Sequence, residues 1–245
     1  MQIVVNGLLA NYEIINPSGK RSILILHGWG RNLIEWVSMA KLLPSEYRVI
    51  LLDLPGFGNS SRPVNSDFDL LDYVSFVEEF LRKKGIKDTN LLGHSFGGKI
   101  AIVLASRSKI ITNLFLISSS GISKPGTKVR AIAYLAKKIK RLIHPFFPLP
   151  KEAIYILGSK DYKKAGPLAK IFKNVVSTNV SDYAKNISKK TIIIWGENDP
   201  EVPVSSAKTL GKLIPDSRIR IVWGAKHNPH LEYPEKLASI LRDYL

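Results

Sequence analysis

The sequence predicts an α/β domain built on a mostly parallel sheet flanked by helices, with a helical cap inserted in its second half. Three observations predict it. Six short runs rich in Ile, Leu and Val recur along the chain, and most do not alternate with polar residues. Parallel strands buried on both faces have that pattern. Helical periodicity fills most of the intervals between the runs, as a parallel sheet with crossover helices requires. The alternation then stops between about Gly121 and Ser188, where only helix-like segments occur.

The elements follow in order. Gln2–Val5 and Tyr12–Ile15 read as antiparallel edge strands, with an Asn6-Gly7 turn signal in this stretch. The buried runs are Ile23–His27, Arg48–Asp53, Asn90–Gly93, Ile110–Ile117, Lys190–Trp195 and Arg218–Trp223. Phe68–Lys84 repeats apolar residues at Leu71, Val74, Val77 and Leu81, with acids near its start and bases near its end, matching the helix dipole. Gly97–Ser106 reads as a short buried helix, and Ser205–Leu213 and Glu235–Leu245 as surface helices. Lys128–Ile143, Lys151–Leu157 and Ala165–Val180 are the helix-like segments of the insertion, and a proline-rich elbow at 145–150 separates the first two. The expected division is a core of residues 1–120 and 189–245 with a cap over 121–188. Such a cap would cover the carboxyl edge of the sheet, where folds of this kind bind ligands.

Composition narrows the function classes. The 245 residues suffice for one large domain. No apolar run approaches the roughly 18 to 20 residues that span a bilayer. The N-terminal stretch lacks the basic-then-apolar pattern of a secretory signal, so the expected location is the cytoplasm. The absence of cysteine excludes disulfides, thiolate metal sites and a cysteine nucleophile. No cluster of histidines and acids suggests a metal, and no phosphate-binding loop is present, so no cofactor is expected. The net charge of +16 is unevenly placed: residues 121–190 carry 16 basic and 3 acidic side chains. That excess reads either as a solvated surface or as a patch for an anionic substrate, an acidic carrier protein or a membrane surface. Lys128–Ile143 is a basic amphipathic helix, whose simplest place is over the pocket with its lysines in water. Nucleic acid is not an expected partner, because no nucleic-acid motif accompanies the charge.

The chemistry sits at strand ends. Gly93-His94-Ser95-Phe96-Gly97 matches G-x-S-x-G. The glycines let the backbone close a sharp strand-to-helix turn that pushes the Ser95 hydroxyl outward and aims the Phe96 amide at a developing oxyanion. His27-Gly28-Trp29-Gly30 follows the first buried run and offers the Trp29 amide as a second oxyanion donor, with His27 bracing the loop. Asp199, just past another run, can hold an imidazole in one tautomer. Glu197 is the alternative acid. His227 follows the last run and is the candidate base, ahead of His230, which is expected to pack beneath the C-terminal helix. The order Ser95, Asp199, His227 is that of a single serine-hydrolase fold.

HGWG (27–30), DLPGFGNS (53–60), GHSFGG (93–98), WGENDPEVP (195–203) and GAKHNPHLEYPE (224–235) together resemble the α/β-hydrolase superfamily. Within it they are similar to small capped esterases, cofactor-free haloperoxidases and carbon–carbon bond hydrolases. The resemblance implies an eight-stranded sheet with the cap between strands six and seven. It also supports Ser95 as nucleophile, His227 as base, Asp199 as acid, and Trp29 and Phe96 as oxyanion donors. Ser95 stands where haloalkane dehalogenases and epoxide hydrolases have a carboxylate, which argues against those reactions. Lys226 departs from the family, which often has glycine there. HGWG with Asn32 and Trp36 also resembles pimeloyl-carrier-protein methyl ester esterases.

The expected reaction is hydrolysis of small to medium acyl esters, lactones included, through an acyl-enzyme. Two alternatives stand beside it: an esterase or thioesterase for substrates on an acidic carrier protein, and a ligand-binding signalling protein with slow turnover.

Overall fold

A computed structural model describes residues 1–122 and 165–245. The expected helices at 128–143 and 151–157 and the proline-rich elbow lie outside the described residues, as does most of the expected cap.

Eight strands form one sheet in the order β1-β2-β4-β3-β5-β6-β7-β8. They are β1 (Gln2–Val5), β2 (Leu8–Ile15), β3 (Arg21–Leu26), β4 (Tyr47–Leu52), β5 (Thr89–His94), β6 (Ile111–Ile117), β7 (Lys190–Gly196) and β8 (Ser217–Val222). β1 and β2 form a hairpin over Asn6 and Gly7, both at positive φ (48° and 77°), as a two-residue primed turn requires. β2 joins β4 antiparallel, and every other pairing from β3 to β8 is parallel.

The helices are α1 (Ile34–Ala40), α2 (Leu70–Lys83), α3 (Phe96–Arg107), α4 (Ala169–Ser177), α5 (Ser181–Lys185), α6 (Ser205–Leu213), α7 (Pro229–Glu232) and α8 (Pro234–Arg242). A 3₁₀ turn, Gly166–Leu168, leads into α4. Asp69 and Asp72 close a reciprocal capping box at the start of α2, a device worth about 1 kcal/mol. α3 is buried almost throughout.

Successive residues of each central strand feed opposite layers. Leu24 and Leu26 of β3 belong to the apolar cluster that includes Val74, Val77 and Phe80 of α2, while Ile23 and Ile25 belong to the cluster that includes Trp36, Leu237 and Leu241. Both faces are therefore apolar, which is why the runs do not alternate. β8 is the exception: at the sheet edge its burial alternates. Strand order reverses at β3, which lies between β4 and β5. The crevice at that switch point opens above the carboxyl ends of β3 and β5.

Candidate active site

Leu26 pairs with Gly93, so the loops leaving β3 and β5 rise side by side. A methyl group placed on Gly28 would sit 3.4 Å from the Ser95 Cβ. Ser95 itself adopts φ 49° and ψ −109°. A non-glycine residue held there costs on the order of 1–3 kcal/mol and persists only when its surroundings over-determine it. They do so here. The Ser95 amide donates to the Ile117 carbonyl (3.0 Å), and the Ser95 carbonyl accepts from the amides of Lys99 (3.2 Å) and Ser120 (3.1 Å). Gly93 and Gly97 make the turn possible. A Cβ on Gly93 would stand 2.5 Å from the Gly97 carbonyl oxygen, and one on Gly97 would strike the carbonyl oxygens of Leu26 and His27.

His27 braces the loop, as its sequence position suggested. Its Nε2 accepts from the Leu54 amide (3.0 Å), which leaves Nδ1–H to donate to the Gly28 carbonyl (2.7 Å). Burial pushes its pKa below the ordinary histidine value. The amides of Trp29 and Phe96 have no acceptor among the described residues, whereas the Gly97 amide is taken by the His27 carbonyl. Trp29, Ser95 and Phe96 line one cavity of about 160 Å³.

Asp199 follows β7 and His227 follows β8, and the Asn198 amide ties the two loops by donating to the Ala225 carbonyl (2.9 Å). His227 Nδ1 lies 2.9 Å from Asp199 Oδ2. The carboxylate accepts, so Nδ1 carries the proton and Nε2 is the free lone pair of the neutral ring. Asp199 Oδ1 accepts from the amides of Glu201 and Val202, each at 2.9 Å. Burial works to raise the Asp199 pKa. The His227 hydrogen bond and charge, with those two amides, outweigh it and hold the carboxyl below its ordinary range.

Ser95, Arg31, Glu201 and His227 line a smaller cavity of about 70 Å³. The Ser95 hydroxyl makes no hydrogen bond to His227. Instead His227 Nε2 faces Glu201 Oε2 at 3.3 Å. That contact is attractive only when the ring carries both protons.

The alternatives take other places. Glu197 Oε2 accepts from the Gly224 amide (3.0 Å), so it holds the histidine loop rather than the ring. Lys226 is exposed. His230 lies in α7, buried and stacked on Trp36 at 4.0 Å between ring centroids.

Residues 21–185 match the protein family described as alpha/beta hydrolase fold. The chain belongs to this family. Lipase 3 of Moraxella sp. is 26% identical over 238 residues, covering 89% of this chain and 75% of the relative. A monoacylglycerol lipase of Bos taurus is 27% identical over 257 residues, covering 94% and 76%. A membrane phospholipase A described as a bacterial virulence factor superposes with a TM-score of 0.80 at 26% identity, covering 99% of this chain and 84% of that structure.

Several residues of the site gave little signal in the sequence. Glu201 is two positions past Asp199 and reads as part of an Asp-Pro turn. Lys99 stands one turn after Ser95 in an otherwise small and apolar helix; that contrast was the available clue. It is buried, and its ammonium donates to the carbonyls of Val175 (2.5 Å) and Val176 (3.3 Å) near the end of α4. Desolvation lowers its pKa to about 8. His94 donates from Nε2 to the His227 backbone carbonyl (2.9 Å) and so supports the histidine loop from beneath. Burial first, then the neighbouring His230 and His227, push the His94 pKa well below the ordinary value. Among the described residues no group of metal-ligating side chains occurs, and no helix is long and apolar enough to cross a membrane.

Proposed function

We propose that the chain hydrolyses carboxylic esters, with Ser95 as nucleophile, His227 as general base and Asp199 orienting the base. The observation that carries this reading is the 2.9 Å contact between His227 Nδ1 and Asp199, on a ring that shares a cavity with the strained Ser95. The likeness to proteins named lipases supports an ester as the substrate.

His227 takes the Ser95 proton as the hydroxyl attacks the ester carbonyl. The free amides of Trp29 and Phe96 receive the negative charge that develops on the carbonyl oxygen. His227 then protonates the departing alcohol. Water, activated by the same ring, cleaves the acyl-enzyme. For the first step Glu201 swings off Nε2, which its half-exposed side chain allows; in free enzymes such catalytic hydrogen bonds are often open. The cavity of about 160 Å³ beside Ser95 suits a small to medium acyl chain, and a lactone presents the same carbonyl. The helical cap over 121–188 belongs to this proposal as the cover of that cavity.

The test is hydrolysis of p-nitrophenyl esters from acetate to decanoate by the wild type and Ser95→Ala in parallel. The variant is expected to lose roughly 10⁴-fold or more in kcat. Equal rates for both proteins overturn the reading and favour a binding protein with slow turnover. The acidic-carrier alternative rests on the basic segment 128–143, outside the described residues. It predicts a rate on a carrier-bound ester that falls steeply as salt rises.

A further inference from the structure

A third cavity, of about 460 Å³, adjoins the site and has no part in the mechanism above. Trp29, Arg31, Phe57, Arg62, Pro167 and Leu168 are among the residues that line it. Trp29 lines all three cavities, and Arg31 lines both this one and the small cavity that holds Ser95 and His227. The large cavity is therefore adjacent to the reacting centre.

Charge is sorted across Trp29. The described lining of the large cavity includes two arginines and no acid. The pocket of about 160 Å³, which Trp29 also lines, holds Glu201, while the one cation in its described lining, Lys99, is buried and committed to the carbonyls of Val175 and Val176. A negative group would be repelled by Glu201 there and attracted by Arg31 and Arg62 here. Arg31 is partly neutralised by Glu35 at 2.8 Å. Arg62 is exposed and makes no hydrogen bond or ion pair with a described residue. An exposed guanidinium with no partner among the described residues, lining one cavity with the aromatic rings of Trp29 and Phe57, suits a phosphate or carboxylate, which it can bind through two parallel N–H groups. The apolar pocket formed by Phe96, Val175 and Val202 suits the acyl chain.

We infer that the preferred substrate is an ester whose alcohol half carries an acidic group, phosphate or carboxylate, held by Arg62 and Arg31 while the acyl chain lies on the Glu201 side of Trp29. The inference rests on the ester-hydrolase reading and deepens it. The chemistry is unchanged: the acyl group passes to Ser95, the anionic alcohol leaves with a proton from His227, and water releases the acid.

Three esters with one acyl group test it: butyryl glycerol, butyryl glycerol phosphate and the butyryl ester of glyceric acid, with release of butyrate followed for wild type, Arg62→Gln and Ser95→Ala. The wild type is expected to prefer an anionic ester over the neutral one in kcat/KM. Loss of one charge-assisted contact is expected to reduce that preference roughly tenfold in Arg62→Gln. The better of the two anionic esters identifies the acidic group. Glycerol phosphate and glycerate are also titrated into Ser95→Ala by calorimetry, where binding that Arg62→Gln weakens supports the inference without turnover. Neutral ester cleaved as well as both anionic ones, or a preference unchanged in Arg62→Gln, overturns the inference and leaves the ester-hydrolase reading intact. No ester cleaved by any protein overturns that reading, and absence of anion binding to Ser95→Ala then removes the subsite as well.

Discussion

Asp199 shows how one buried side chain is held in its ionised form by several weak partners. Burial alone would favour its neutral form, and a hydrogen bond to His227 with two backbone amides reverses the balance. Because its folded pKa lies below its unfolded one, its contribution to stability is present above the ordinary carboxylate range. That contribution fades as pH falls through the lowered folded value. Asp199→Asn keeps the shape and an acceptor for the amides of Glu201 and Val202, but it presents a neutral amide to the ring. The imidazole can then settle in the wrong tautomer, and kcat is expected to fall about 10⁴-fold with little change in the folded structure. Steady-state kinetics beside circular dichroism checks this. A variant with near-native kcat would remove Asp199 from the mechanism. At this scale the triad candidates were legible because each follows closely on an apolar run, in the order serine, acid, histidine. Glu201 was not, because its meeting with His227 depends on two loops leaving different strands.

The elbow between β5 and α3 is the element on which the site depends. The Gly97 amide donates to the His27 carbonyl at 3.1 Å, so the turn carrying Ser95 is clamped to the loop carrying Trp29. Gly97→Ala forces a methyl group against the carbonyls of Leu26 and His27. Overpacking of this kind costs about 1–3 kcal/mol, and displacement of Ser95 by about 1 Å can cost 100-fold in rate. The variant is expected to melt lower and lose activity out of proportion to the folded fraction, which thermal melts and active-site titration measure together. Loss of stability with unchanged activity per folded molecule would show that the elbow tolerates the shift. The strands were legible as apolar runs because two layers cover them. α1 was not: it has only seven residues, begins after Leu33 with no capping side chain, and buries just Trp36, Met39 and Ala40. Ala165–Val180 reads as one helix from its periodicity, yet α4 ends at Ser177 because Thr178 is extended (ψ 124°) with its hydroxyl donating to the Asn174 carbonyl. Local polar competition of that sort leaves no trace in apolar spacing.

Across the whole molecule, Lys99 joins the core to the segment beside the site: it leaves α3 one turn after Ser95 and ends on the carbonyls of α4. The position would normally be apolar, since that helix is buried from Phe96 to Ala105, and the carbonyls at the end of α4 explain a cation there. The arrangement has a thermodynamic signature. Desolvation depresses the pKa from the ordinary 10.5 to about 8, so between those values the unfolded chain binds the extra proton. Stability attributable to this group therefore rises with pH through that window, is complete above 10.5, and is lost as pH falls through about 8. Lys99→Met removes the titration and leaves the α4 carbonyls without their donor. The wild type's margin in Tm over Lys99→Met is thus expected to widen steadily from pH 8 to pH 10. Melting both proteins across that range tests it against every other lysine, because groups common to the two cancel in the difference. A margin constant with pH would mean that Lys99 stays solvated, and that its hold on Val175 and Val176 does not join the sheet to α4 in solution.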